Sequence, residues 1–522
     1  MSENKKVTKA AGIVGLATLL SRILGFIRDM VIARYFGAGF STDAFFVAFR
    51  IPNLLRRLFA EGSLSIAFIP VFTEHLKKNG KDEAFQMARS ALRLLALLLV
   101  VVTIAGILLA PVIVHVIAPG FFADSPEKHA LTVLLTRIMF PYVFFICLVA
   151  LCMGILNVLG HFAAPALAPV FLNLSIIASV YFISSEMPEP VLVLAFGVLA
   201  GGVLQLLFQL PFLVKKGFYF WEKASLYHPG LKKIGKLMLP AVFGAGVYQI
   251  NILVGTLLAS FLKEGSISYL YYADRLVQFP LGIFAISTAT AVLPSISRQA
   301  AEKDYTSVKE TFAYAMRLIF FITLPSMVGL IVLSKPIVMI LFQRGNFSIE
   351  ATQMTAYAVL CYGVGLWAFS AVRIVVSTFY ALSDTKTPVK MATISIAVNI
   401  LLGISLMWPL GHGGLALATS LASMLNFGML VRALRKRLGA LGWRNICFSV
   451  LRSSVCAVLM GVVVWASACR IIPDEGTFWE NLSGLSGSVI LGFFLYILFS
   501  FLLKSPELKY VLNTFKKGED GR

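Results

Sequence analysis

SRILGFIRDMVIARYFGAGFSTDAFFVAFRIPNLLRR, Ser21–Arg57, reads as parts of two long apolar segments, yet it carries Arg22, Arg28, Asp29, Arg34, Asp43, Arg50, Arg56 and Arg57. A charge near the centre of a bilayer costs at least a few kcal/mol, so such residues persist only where they face a wet cavity or a partner. A chain that keeps this many has a polar interior.

Working outward, the 522 residues are 58% hydrophobic and 13% charged, whereas soluble domains carry about 25% charged residues. The chain is therefore a polytopic membrane protein. Apolar windows of about 20 residues mark fourteen spans, at 9–36, 41–73, 88–117, 129–159, 163–184, 188–214, 237–262, 266–297, 311–333, 350–382, 389–409, 413–431, 446–469 and 479–503. Lys5, Lys6 and Lys9 precede an apolar run, as in a signal peptide. No small-residue cleavage site follows, so the first span is expected to stay uncleaved.

Cytoplasmic loops carry the excess of Lys and Arg. With the N-terminus inside, the inner segments hold 28 basic residues, and the outer loops hold Lys128, Lys263, Lys335, Arg344 and Arg470. That asymmetry places both termini in the cytoplasm and accounts for most of the net charge of +20 without nucleic acid. Arg93, Arg317 and Arg452 lie near inner ends, where snorkelling to the headgroups is the expected behaviour. Segment 215–236 interleaves aromatics with lysines; it reads either as an amphipathic helix on the inner leaflet or as an ordinary basic loop.

The second and eighth spans repeat. Aligning Arg50 with Arg275, an offset of 225, pairs Phe59 with Phe284, Ala60 with Ala285, and Ser63 and Ser65 with Thr288 and Thr290. ILNVLGHFAAP and FYALSDTKTP align Pro165 with Pro388, an offset of 223. An even number of spans separates the copies, so both halves insert the same way up, and transporters place substrate at the interface of such repeats. The expected fold is all-α, with about fourteen transmembrane helices in two pseudo-symmetric six-helix lobes plus two C-terminal helices. The N-lobe is 1–214, the linker 215–236 and the C-lobe 237–438, and 439–522 holds the last two spans and a cytoplasmic tail.

The six cysteines form no CxxC pair and the histidines show no metal-ligand spacing, so no metal site is indicated. There is no Walker lysine motif, GxSxG or HExxH; no enzyme chemistry is signalled. The informative set is the deep arginines with Asp29, Asp43, Glu61, Asp274 and Asp384. All the deep basic residues are Arg, which suits bidentate recognition of phosphate or carboxylate. Arg28–Asp29 and Asp274–Arg275 are sequence neighbours and do not share a helix face, so each is expected to pair across helices. One reading is that the set forms structural ion pairs. The other is that the basic surplus is compensated by an anionic ligand.

SRxLGFxRD (Ser21–Asp29), FGAGxxTDAFFVAFRxPNLLRRLFAEG (Phe36–Gly62), AFxP (Ala67–Pro70), YYADRLVQFPLG (Tyr271–Gly282) and TKTPVK (Thr385–Lys390) strongly resemble the MurJ (MviN-type) lipid II flippases of the multidrug/oligosaccharidyl-lipid/polysaccharide exporter superfamily. The resemblance covers essentially the whole chain. It implies two six-helix lobes in a V, with two further spans extending a membrane-facing groove. It also implies transport of undecaprenyl-pyrophosphate-linked disaccharide-pentapeptide from the inner to the outer leaflet of the bacterial inner membrane. By motif, Arg22, Arg28, Asp43, Arg56, Asp274 and Arg275 match the family's functional cavity residues, Arg373 falls where the family has a basic residue, and Ser21, Asp29 and Glu61 lie within the matching runs. Gln278 stands where some members carry Glu. The acidic residues that sodium coupling uses in the wider family are missing from 237–262 and 389–409, so no ion site is identified; Na+ or membrane potential is the driving force, with membrane potential the preferred expectation. Lipid II and membrane lipids are the implied partners, with cell-wall synthesis proteins as further candidates.

A pyrophosphate carries about two negative charges and is matched by an arginine cluster, which gives Arg22, Arg28, Arg56 and Arg275 the expected contacts and Arg373 a share of the field. A cation-coupled multidrug exporter calls instead for an acidic or aromatic cavity, and a membrane scaffold for cell-wall assembly needs no intramembrane arginine.

Overall fold

The computed structural model describes residues 3–58, 64–183, 187–473 and 476–510, and every regular element among them is helical. The chain divides into two compact units, Met1–Ser268 and Tyr269–Arg522. The first contains α1 (Glu3–Phe36), α2 (Phe40–Leu55), α3 (Leu64–Lys78), α4 (Lys81–Leu108), α5 (Ala110–Ile117), α6 (Pro119–Asp124), α7 (Pro126–Met139), α8 (Tyr142–Val158), α9 (Ala163–Ile183), α10 (Leu192–Lys215) and α11 (Pro229–Ala259). α12 (Ser266–Pro280) begins at its end. The second unit continues through a π-helical turn at Leu281–Ala285 into α13 (Ile286–Ala301), α14 (Tyr305–Val332), α15 (Ser334–Phe342), α16 (Ile349–Gly363), α17 (Leu366–Ala381), α18 (Lys386–Leu438), α19 (Trp443–Ile471) and α20 (Phe478–Leu502).

Nine helices among the described residues are long and apolar enough to cross a membrane, ten if the bent pair α16–α17 counts as one span. Length and apolarity alone therefore do not fix the count of fourteen. α1, with Arg22, Arg28, Asp29 and Arg34, is not among the nine. Leu97, Leu98, Val101 and Leu108 of α4 and Phe493, Phe494 and Phe501 of α20 are exposed, a surface that suits hydrocarbon rather than water. The chain is a multi-pass membrane protein.

Each unit has its own core. In the first, Phe68, Phe72, Phe85 and Phe218 form a ladder with successive ring centroids 5.3, 6.4 and 5.4 Å apart. In the second, Phe312, Met316, Phe320, Phe379, Leu430 and Met460 are buried together. Glycines let helices approach: a Cβ at Gly461 of α19 would lie 2.4 Å from Val328 of α14, the small-residue contact that substitutes for a hydrophobic drive inside a bilayer. Tyr496 of α20 donates its hydroxyl to the Phe321 carbonyl of α14 at 2.7 Å.

The repeat leaves structural marks at the expected offsets. A π-helical turn at 56–58 recurs at 281–285. α8 ends at Val158 and α17 at Ala381; Gly160 and Ser383 both have positive φ (73° and 59°); α9 starts at Ala163 and α18 at Lys386. All three pairs are 223 apart. Phe59, Ala60, Glu61 and Ser63 lie outside the described residues, as does the side chain of Ser65.

Of the two readings of 215–236, the loop holds for 217–228, which is irregular backbone, while 229–236 opens α11. Gly217 (φ 84°) ends α10 and Pro229 opens α11, and Arg93 takes the carbonyls of Glu222 (2.7 Å) and Ala224, so the peptide groups of that stretch are held by a side chain. Arg93 thereby clamps the linker backbone. Arg452 likewise donates to the Lys504 carbonyl at 3.2 Å, and Arg317 lies 3.8 Å from buried Glu507.

Candidate functional site

The arginines of Ser21–Arg57 fall into three environments. Arg22 is exposed on α1 and makes no hydrogen bond or ion pair among the described residues. Arg28 is buried, 6% exposed, beside fully enclosed Asp29. Its Nη2 and Nε donate to Asp29 Oδ1 at 2.6 and 3.0 Å, and its Nη1 donates to Asn173 Oδ1 of α9 at 3.1 Å. Arg28 thus pairs across helices, to Asn173 of α9, and also folds onto its own neighbour Asp29, the guanidinium stem being long enough although their Cβ atoms diverge. Asn173 also donates through Nδ2 to the Ser21 carbonyl at 3.1 Å and sits over Gly25. Ser21, Arg28 and Asp29 are therefore brought together by one side chain. That side chain was visible as the lone Asn within the apolar run Ala163–Ile183.

The third environment is a cleft between α2 and α11, lined by Arg50, Asn53, Leu54, Arg57, Gln249, Ile252 and Leu253. No carboxylate lies among those residues. Arg56, half-buried, is oriented by Asn53, whose Oδ1 accepts from its Nη2 and Nε at 2.9 and 3.2 Å. Pro52 lies inside α2, one residue before Asn53, and Pro removes the amide that would close the turn there.

Asp43 is placed differently. It is 1% exposed, and its carboxylate accepts from Lys128 Nζ (2.8 Å), Gly265 N (2.8 Å), Ser268 N (2.9 Å) and Ser268 Oγ (2.6 Å). Four donors saturate it, so in this conformation it offers no free lone pair to a ligand. Lys128 was counted as an outer-loop charge; it is buried instead, its ammonium 4.5 Å from the Phe121 ring. Nearby, Glu264 accepts from the Phe40 amide at 2.7 Å, and the Gly120 amide donates to Ser260 Oγ at 3.1 Å. These contacts join the starts of α2, α6, α7 and α12 in one polar clasp. A Cβ on Gly120 would sit 2.2 Å from the Ser260 carbonyl oxygen. Gly120→Ala is therefore expected to destabilise the protein by about 1–3 kcal/mol through overpacking, read as a lower thermal midpoint in detergent.

In the second unit, Arg275 donates from Nη2 to the Tyr271 hydroxyl at 2.8 Å, with its guanidinium 5.0 Å above the same ring. Asp274 accepts from Gln278 one turn on, so Gln278 holds the carboxylate by a neutral hydrogen bond. Arg373 is exposed on α17. Asp384 is not a cavity residue. Its Oδ1 accepts from the Thr387 amide at 3.0 Å and its Oδ2 from the Thr387 hydroxyl at 2.8 Å, with Arg437 3.2 Å away. The Thr387 amide, above all, holds this carboxyl below the usual carboxylate range, against the opposing effect of burial. A lowered folded pKa contributes stability that is present above the ordinary carboxylate pKa and is lost as pH falls through the folded value. Asp384→Ala should cost about 1 kcal/mol, the usual worth of a capping side chain, and the gap to wild type should close in acid. Melting curves of both proteins across the acid range measure this.

The comparisons with known proteins fit this arrangement. The family model described as "Lipid II flippase MurJ" matches residues 32–472. The chain is 40% identical over 469 residues to a "Probable lipid II flippase MurJ" of Vibrio cholerae, covering 88% of this chain and 89% of that one. It is 38% identical over 457 residues to the "Lipid II flippase MurJ" of Burkholderia cenocepacia, covering 86% and 88%. A solved structure of "Lipid II flippase MurJ, inward closed conformation" superposes with a TM-score of 0.79 at 29% identity, covering 94% of this chain and 98% of that one. An inward-facing multidrug MATE transporter superposes at 0.69 with 17% identity, covering 83% and 99%, a likeness of fold.

Proposed function

Because the chain belongs to the lipid II flippase MurJ family, we infer that it carries lipid II, the undecaprenyl-pyrophosphate-linked muropeptide, from the inner to the outer leaflet of the bacterial inner membrane. The observation that supports this reading at a particular residue is Arg22, which is exposed on α1 and makes no hydrogen bond or ion pair among the described residues. A pyrophosphate carries negative charge and accepts the paired donors of a guanidinium. Arg22 and Arg56 are the ligand contacts in this reading, and Arg275 and Arg373 contribute to the same transport step. Arg28, Asp29 and Ser21 shape α1 through Asn173, and Asp43 acts as a clasp.

Moving a glycan and peptide headgroup through bare hydrocarbon is prohibitive, so a hydrated cationic path with the tail left in lipid is the economical solution, worked by alternating access. Both termini are cytoplasmic in this proposal, the lobes are 1–214 and 237–438, membrane potential rather than Na+ drives the cycle, and membrane lipids and cell-wall synthesis proteins are the further partners. Reconstituted vesicles loaded with lipid II test it. Flipping should respond to an imposed potential and be indifferent to a sodium gradient, and no protein-dependent flipping under either condition would overturn the reading.

A further inference from the structure

On the face where the linker 216–228 lies, His75 of α3, Glu83 of α4 and His228 form a closed cluster. Glu83 accepts from His75 Nδ1 (2.9 Å) and from His228 Nε2 (3.1 Å), and the two rings pack edge to face with centroids 5.4 Å apart. His228 is also the N-cap of α11: its Nδ1 accepts from the Gly230 amide at 3.1 Å. An amide N–H can only donate, so this contact fixes the tautomer. Nδ1 carries the lone pair, Nε2 carries the hydrogen that goes to Glu83, and the ring is neutral. A proton on Nδ1 would set N–H against N–H and abolish the cap. Gly230 leaves no slack for rearrangement, since a Cβ there would meet His75 Nε2, Met87 and His228 Nδ1 at 3.1–3.2 Å.

We propose that His228 is a proton-operated cap, which when neutral fastens the first turn of α11 to the α3–α4 pair and when protonated releases it. The surrounding charges sharpen the device. Glu74 of α3 is taken by Lys78 and by Lys233 of α11, and Glu222 of the linker by Arg89. Lys81 of α4 lies over Phe85, beside the linker's Gly217. Among the described residues, Glu83 is thus the one carboxylate bonded to either imidazole, and it serves both. His75 accepts a proton at Nε2 while keeping its bond to Glu83; His228 accepts one only by losing its helix. α11 goes on to supply Gln249, Ile252 and Leu253 to the basic cleft, so acidification of the linker face loosens the start of the helix that walls it.

Amide hydrogen exchange on the full-length protein in detergent tests this independently of transport. Between about pH 7.5 and about pH 5.5, either side of the ordinary imidazole range, protection of the first turn of α11 should fall about fivefold after correction for intrinsic exchange, the factor expected for a lost cap. His228→Asn keeps a capping oxygen that does not titrate, and should hold its protection at both pH values. His228→Ala should lack it at both. Unchanged protection in the wild type would overturn the proposal. So would the same acid loss in His228→Asn, which would assign the sensor to another group.

Discussion

Asp43→Ala should lower the stability of the protein by about 3–5 kcal/mol, the cost of leaving a buried charge without its partner. The carboxylate is enclosed and takes four donors, so its removal strands the Lys128 ammonium and frees the Gly265 and Ser268 amides together. Lys128→Met should cost a comparable amount by stranding Asp43. The double variant should recover part of the loss, because no unpaired charge then remains, and the recovery measures the coupling of the pair. Asp43→Asn falls between, since the amide oxygen still accepts from Ser268 but does not neutralise Lys128. Thermal unfolding of the wild type and the four variants in one detergent decides the matter; a loss below about 1 kcal/mol for Asp43→Ala would show that the clasp contributes no more than a surface contact does.

The second large effect separates two arginines six positions apart. Arg22→Ala should weaken lipid II binding and flipping tenfold to a hundredfold, from about 1.5–3 kcal/mol for a hydrogen bond to a charged group, with the melting temperature unchanged. Arg22 has no partner among the described residues to lose. Arg28→Ala should depress flipping and stability together, because it leaves Asp29 enclosed without its guanidinium and removes a donor from Asn173. Arg22→Lys keeps the charge without the planar fork and should recover only part of the binding. A binding assay paired with a melting curve for each variant reads both axes. If Arg22→Ala bound lipid II as the wild type does, the arginine would be an anchor rather than a contact.

Much of the architecture was legible in the chain because its marks are local. Helix ends, left-handed residues and π-helical turns are written within a few residues, which is why the offsets of 223 and 225 reappear as Gly160 with Ser383 and as the turns at 56–58 and 281–285. The polar contacts were less legible because they are not local. Asp43 meets a lysine 85 positions away and a serine 225 positions away, and nothing around Lys128 distinguishes it from an ordinary loop charge. The contact between Arg28 and Asp29 was hidden for the opposite reason: face periodicity governs Cβ directions, whereas a guanidinium reaches past them. The apolar-aromatic rhythm of 215–236 suggested a helix, but the sequence does not reveal that Arg93 claims that backbone.

α18 runs from Lys386 to Leu438 with a single break at Gly411 (φ 57°), after Pro409. A Cβ on Gly414 would strike the Leu406 carbonyl at 2.1 Å, so the two arms touch as soon as the chain has turned. Between Lys390 and Arg432 there is no Lys, Arg, Asp or Glu at all. For the insertion machinery this has a direct meaning. Neither arm carries a charged stop of its own on the far side, and the basic residues that orient the pair both lie at its base. Insertion of the two arms together, as one hairpin, is the expected route. A polar insertion at Gly411 would disturb biogenesis before it disturbed transport.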